Sequence, residues 1–163
     1  MGETKTSQKQ VKIGLDEKLK LAAPSREILE ELALNAAKDP SPDNTFQYAF
    51  CLSKSTEKTE LRYAVAIMDG LVKEGYEYQV DCMYGAASAL YLLGDYDNSR
   101  SRCENILRSK PESRLASEMH LACVEAQKQR EEEQVKKAAT IGAVAAVAVG
   151  VLGVVASALL SKR

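Results

Sequence analysis

Four cysteines and a single histidine are the obvious candidates for chemistry in this 163-residue chain. Cys51, Cys82, Cys103 and Cys123 form no C-x-x-C pair, and none has a histidine at metal-ligand spacing. A zinc site or disulfide framework needs closer clustering. The cysteines therefore read as small, mostly buried thiols of a reducing compartment. His120 lies in Ser117-Glu118-Met119-His120-Leu121, and the sequence identifies no nucleophile or carboxylate partner that would make it a general base. No Gly-rich phosphate loop, G-x-S-x-G elbow or H-E-x-x-H is present. These patterns point away from an enzyme and call for no metal or cofactor. Lys+Arg is 22 and Asp+Glu is 23, a formal net charge of −1, so nothing in the balance draws the chain to nucleic acid.

The elements that position other side chains are helical. Residues 25–137 lack a period-2 strand pattern and carry helix formers in blocks separated by Pro, Gly, Asp and Asn. The first block, 25–38, has Ile28, Leu29, Leu32 and Leu34 at helical spacing and Ser25 as N-cap. A second is expected over 45–54 with Thr45 as N-cap. A third, 59–74, ends at Gly75, which suits a C′ position. The fourth covers 79–93 and ends at Gly94, and the fifth covers 96–109 before Pro111. A sixth helix starts near Ser113 with Leu115, Met119, Ala122 and Cys123 on one face, then becomes strongly charged through 127–137.

The fourth and fifth blocks match the tetratricopeptide pattern of about 34 residues. Gly94-Asp95-Tyr96-Asp97 forms the turn, Ala87 and Ser99 take the small positions of the two helices, and Ile106, Leu107 and Pro111 follow. A looser copy precedes it, with Ala49 for Ala87, Ala64 for Ser99 and a longer turn over 55–58. The expected fold is an all-α, tetratricopeptide-like bundle of about six helices over 25–127. Stacked helix pairs leave a concave face lined by the first helix of each repeat. Phe46, Phe50 and Lys54 should face that groove from the first repeat, and Asp81, Tyr84, Ser88, Tyr91 and Leu92 from the second. Aromatics anchor peptides well because they bury much area at low entropy cost. Tetratricopeptide cores are aromatic too, so each residue has core packing as its alternative. A chaperone-type carboxylate clamp would use Asn on this face, and none of these positions is Asn.

Both ends of the chain differ from the middle. Residues 1–24 read as a flexible arm, since Met1 to Gln10 is almost free of apolar residues and offers no signal-peptide core. Ile13, Leu15, Leu19 and Leu21 then enter a Lys-rich stretch that reads as a loose arm or a frayed helix, and the first three suit transient docking on the groove. Residues 128–137 form a charged juxtamembrane segment, read as a solvated helix, with docking on anionic lipid as the alternative. Residues 138–160 carry no charge and, as a helix of about 34 Å, would cross a hydrocarbon core of about 30 Å. A core helix of a soluble domain would show a polar face, and this segment has none. Lys136 and Lys137 before it, and Lys162 and Arg163 in the basic 161–163 tail, are the expected membrane-targeting residues. A short, Ala- and Gly-rich span with basic flanks fits a tail anchor of the mitochondrial outer membrane or of peroxisomes, leaving the N-terminal part in the cytosol.

Phe46-Gln47-Tyr48-Ala49-Phe50-Cys51-Leu52-Ser53-Lys54-Ser55 resembles the signature segment of the mitochondrial fission 1 protein family, with Phe50 in place of the usual Trp. Ala64 to Ile67 with Leu71-Val72, and Leu90-Tyr91-Leu92-Leu93-Gly94-Asp95-Tyr96, resemble that family's following elements. Gly85, Ser88 and Leu92 stand where the family often has bulky and basic residues. The resemblance implies an outer-membrane adaptor of mitochondria and peroxisomes that promotes organelle fission. Its implied partners are a dynamin-like GTPase, adaptors of that GTPase, or regulators of small GTPases, and weak homo-oligomerisation is left open. The alternative is a general tail-anchored tetratricopeptide receptor for chaperones or import.

The anchor can be tested by magnitude. Ile141, Val144, Val147, Val149, Val151, Leu152, Val154, Val155, Leu159 and Leu160 together favour insertion by roughly 3–6 kcal/mol. Val149→Asp with Leu152→Asp should cost about 5–7 kcal/mol plus the lost apolar contributions. Carbonate extraction should release the double variant and leave a single variant partly anchored; a double variant that stays in the membrane pellet would show that another element holds the protein there.

Overall fold

The computed structural model describes the backbone of residues 2–160 and the side chains of residues 6–142. The described residues form seven helices and no strand: α1 (Gly2–Leu21), α2 (Arg26–Lys38), α3 (Pro42–Leu52), α4 (Lys58–Lys73), α5 (Gln79–Leu92), α6 (Tyr96–Ser109) and α7 (Arg114–Leu160). The chain divides into two compact units, Met1–Ala126 and Gln127–Arg163.

Local chemistry sets most helix ends. The Ser25 hydroxyl caps α2 by accepting from the Ile28 N–H at 3.3 Å. The start of α3 lies before the expected Thr45: Ser41 is its N-cap, accepting from the Asn44 N–H, and Pro42 begins the helix. The Pro, Asp and Asn of the run 39–44 separate two helical blocks, but Ser-Pro is also a preferred N-cap and first-turn pair, because proline's missing N–H costs nothing there. Both α4 and α5 end on a glycine with φ of +78°, Gly75 and Gly94. In each case the next residue's N–H reaches back to the helix, Tyr76 to the Leu71 carbonyl at 3.0 Å and Asp95 to the Leu90 carbonyl at 2.9 Å. That is the Schellman arrangement, which satisfies the otherwise orphaned carbonyls. Asp95 then caps α6 by accepting from the Asn98 N–H.

Helix α5 is the centre of the first unit, with Cys82, Gly85, Ala86, Ala87, Ser88, Ala89, Leu90 and Tyr91 all buried. Its small residues let neighbouring helices come close. The Ser99 hydroxyl of α6 donates to the Ala87 carbonyl at 2.8 Å, and the Cys123 thiol of α7 donates to Ser99 Oγ at 3.3 Å. Ala49 and Ala64, the corresponding positions of the looser repeat, are fully buried. Arg102 of α6 makes a two-pronged ion pair with Asp69 of α4. The bundle formed by α2 to α6 and residues 114–126 of α7 has the six helices expected from the sequence.

The arm takes the helical alternative, and its helix extends over the polar N-terminal residues as well. Residues 2–21 are helical, and Leu15 and Leu19 are only 4% and 6% exposed in the cluster that holds Ala87, Tyr91, Met119 and Cys123. The Tyr91 hydroxyl donates to Asp16 at 2.7 Å, and Lys18 pairs with Glu118 at 3.0 Å. A polar helix of this kind gains its stability from packing rather than propensity. Leu15 and Leu19, four apart, form its buried stripe, whereas Ile13 faces outward.

In the second unit, the expected juxtamembrane residues 128–137 are helical and exposed or nearly so, with Lys128 and Glu132 paired at 3.8 Å. Lys136 and Lys137 are exposed there. The helical backbone continues to Leu160, but the side chains of the expected anchor beyond Gly142 lie outside the described residues, as do Lys162 and Arg163. Among the described residues no helix is long and apolar enough to cross a membrane.

Because Ala87 has no exposed surface and its carbonyl accepts from Ser99, a larger side chain there has no room. Ala87→Phe should destabilise the bundle by about 1–3 kcal/mol or more. Thermal melting followed by circular dichroism checks this, and an unchanged melting temperature would mean α5 and α6 do not pack as described.

Candidate partner-binding groove

The groove runs along α5, and the sequence-expected residues fall into two groups on it. Phe46, Phe50, Lys54, Asp81 and Tyr84 line or border open cavities, whereas Ser88 and Tyr91 are buried and Leu92 is on the exposed edge. Ser88 spends its hydroxyl locally on the Tyr84 carbonyl at 2.9 Å. Tyr91 is committed to α1 through Asp16, so these two positions take the core alternative.

The central part of the groove is a cavity of about 230 Å³ between α3, α5 and the start of α7, lined by Phe50, Val80, Asp81, Tyr84 and Leu115 among others. Gly85 permits the position of Phe50. A Cβ at Gly85 would come within 3.1 Å of Phe50 Cδ2 and 2.9 Å of Met68 Cε, so the ring and the methionine tip would both have to shift. The aromatic ring thus lies against bare α5 backbone. Burial raises the Tyr84 hydroxyl pKa.

Lys54 closes over Phe50. Its Nζ sits 3.5 Å from the ring centroid and donates to the Phe50 carbonyl at 2.9 Å. Both contacts favour the ammonium, yet burial penalises it more and pulls its pKa down to about 8. At one end of the groove α1 lies over Tyr91. A second cavity of about 390 Å³ opens between it and the α3–α4 turn, touching Lys54, Leu61 and Leu92. At the other end, about 15 Å away along α5 by helical rise, Phe46 joins Tyr76 and Tyr78, ring centroids 5.5 and 6.3 Å away. The sequence reading missed these two tyrosines because they belong to the α4–α5 loop. The available signal was Gly75-Tyr76-Glu77-Tyr78, two large rings in a turn where small polar residues are usual.

The reactive side chains of the sequence stand apart from this groove. Burial raises the thiol pKa of Cys82 to about 11 and of Cys103 to about 12, and raises that of Cys123, which makes them poor nucleophiles. His120 is half-buried with Nε2 3.3 Å from Glu104 Oε1. Among the described residues no group of His, Cys, Asp and Glu could hold a metal ion.

Lys54 generates a direct test of the groove's dryness. Its ammonium should lose its proton near pH 8, read from the dimethyl-lysine resonance after reductive methylation with carbon-13. A midpoint near the ordinary value of about 10.4 would mean that water reaches the ammonium freely.

No family model matches the chain. Among individual proteins, the mitochondrial fission 1 protein of Debaryomyces hansenii is 28% identical over 143 residues, 88% of this chain and 89% of that protein. The Yarrowia lipolytica protein of the same name is 27% identical over 72% of this chain and 74% of its own length. The bovine one is 28% identical over 52% of this chain and 56% of its own. Among solved structures, the fission protein Fis1 from Saccharomyces cerevisiae superposes with a TM-score of 0.64 at 21% identity, covering 72% of this chain and 95% of that one. Yeast Fis1 in complex with an Mdv1 fragment superposes with a TM-score of 0.61, covering 71% and 94%. The chain is thus similar in sequence to mitochondrial fission 1 proteins of yeasts and a mammal, and it shares the fold of yeast Fis1.

Proposed function

We propose that the chain is a tail-anchored adaptor of the mitochondrial outer membrane, and of peroxisomes, whose concave groove binds components of the fission machinery. Its N-terminal unit faces the cytosol, and Lys136, Lys137, Lys162 and Arg163 flank the anchor that directs it to the membrane. Phe46, Phe50, Lys54, Asp81, Tyr84 and Leu92 form the accessible binding surface. Partners on this reading are a dynamin-like GTPase, an adaptor of it, or a regulator of small GTPases.

The observation that carries the reading is the way α1 sits on the bundle. Two leucines one turn apart, Leu15 and Leu19, are buried against α5 and α7, with Asp16 and Lys18 making polar contacts beside them. The face therefore accepts an amphipathic helix, the mode in which apolar anchors at helical spacing carry recognition. That yeast Fis1 has been solved with an Mdv1 fragment supports a protein partner for this fold.

Removing the endogenous protein should lengthen mitochondria and peroxisomes, and the full chain should restore their size. Unchanged organelle length with a defect in protein import would instead favour a general receptor. In the same cells, deletion of residues 1–21 should change the amount of fission-machinery protein recovered with the chain, because partners compete with α1 for one surface. Equal recovery would show that α1 lies off the binding face.

A further inference from the structure

The open end of the groove, to which Phe46 and Asp81 belong, also gathers two tyrosines to which the adaptor reading gives no role. Phe46 from α3 and Tyr76 and Tyr78 from the α4–α5 loop surround a cavity of about 320 Å³, which Asp43, Gln47 and Asp81 complete. The Tyr76 and Tyr78 centroids are 5.4 Å apart in an edge-on arrangement, and Phe46 is within 6.3 Å of both. Tyr78 is 49% exposed. Asp43 accepts the Tyr76 hydroxyl at 2.7 Å, which orients that ring. Among the described residues the Asp81 carboxylate makes no hydrogen bond or ion pair, and it is exposed at the rim shared with the central cavity, which Lys110 also lines. Residues 74–81 contain Glu74, Glu77 and Asp81 and no Lys or Arg.

Three ring faces and two carboxylates around one cavity define a ligand class. Aromatic faces carry negative potential and attract cations within about 6 Å of the centroid, and neighbouring carboxylates add to that attraction. Asp43 and Asp81 both lie in first helical turns, where they offset the helix dipole. That role accounts for the carboxylates and does not account for three rings gathered between them, two from a loop.

We propose that this aromatic cavity is the seat for a cationic side chain, arginine or lysine, presented by the protein partner that fills the groove. It rests on the adaptor reading, and adds the chemistry of one partner residue. Asp81 borders both cavities, so a partner helix that places an apolar residue against Phe50, Tyr84 and Leu115 carries its basic residue about one turn away, over Phe46 and Tyr78. The local excess of acidic residues selects against partners with an acidic residue at that position.

The test uses the full chain in detergent micelles with labelled Phe and Tyr rings. The chain has 2 Phe and 7 Tyr, few enough to resolve singly. N-acetyl-arginine amide and N-acetyl-lysine amide are titrated against the uncharged citrulline analogue and against phosphocholine. The arginine and lysine amides should shift the rings of Phe46, Tyr76 and Tyr78 saturably, and citrulline amide should not. Tyr78→Leu and Asp81→Asn should each weaken binding about threefold or more. Equal shifts with citrulline amide, absence of saturable shifts with the cations, or wild-type affinity in both variants would overturn the proposal. Saturation by phosphocholine alone would overturn it too, by assigning the cavity to a lipid headgroup. Loss of the cation site with organelle rescue intact would leave the adaptor reading standing. Cation binding without organelle rescue would leave the cavity and remove that reading.

Discussion

Close approach to α5 is the constraint on which the bundle depends. This helix is buried nearly all round, and it can be so only because Gly85, Ala86, Ala87, Ser88 and Ala89 follow one another. Protein interiors are packed to crystal-like density, so a helix surrounded by neighbours must surrender side-chain volume somewhere. Here it does so on every face. Ala87 admits Ser99, whose hydroxyl replaces van der Waals distance with a hydrogen bond to the α5 backbone. Gly85 admits Phe50 and Met68 from the preceding repeat. Cys82, Cys103 and Cys123 fill the remaining gaps as small buried groups.

The same scarcity of bulk shapes the groove. Large side chains on the inner face of α5 would fill the concavity themselves. With Gly85, Ser88 and Leu92 there, the volume is left to Phe50 from α3, Lys54 from the α3–α4 turn, Leu115 from α7 and Leu15 and Leu19 from α1. Apolar area at such a surface is stabilised at roughly 25 cal/mol per Å² removed from water, which is why α1 folds onto it despite a polar sequence. The two ends of the groove then differ in kind. One is covered in part by α1, with Tyr91 bonded to Asp16. The other is open, aromatic and acidic.

Lys54 sits where the two regimes meet. A lysine held over a ring and a carbonyl is well satisfied as a cation, and still burial lowers its proton affinity. The balance reflects how strongly desolvation weighs at a half-buried site, compared with contacts that compensate only in part.

The amino-acid sequence by itself determined the helices and their pairing. Cap residues and glycines act within a few residues of their own position, so Ser25, Gly75, Gly94 and Asp95 announce helix ends without any tertiary help. The small residues Ala49, Ala64, Ala87 and Ser99 recur at corresponding positions of the two repeats and marked the close contacts correctly. Ser41-Pro42 was legible too, but its neighbours Asp39, Asp43 and Asn44 signal a break equally well. What only the tertiary structure decided was which side chains stay open to a partner. Ser88 and Tyr91 have the spacing of groove residues, and α1 and the α5 backbone absorb them. Tyr76 and Tyr78 have the spacing of nothing, and the loop folds them onto Phe46. Periodicity reports which face of a helix a residue occupies. It carries no information on what a segment distant in sequence, such as Leu15 to Leu19 or the α4–α5 loop, will place against that face, because those contacts depend on the whole bundle closing first.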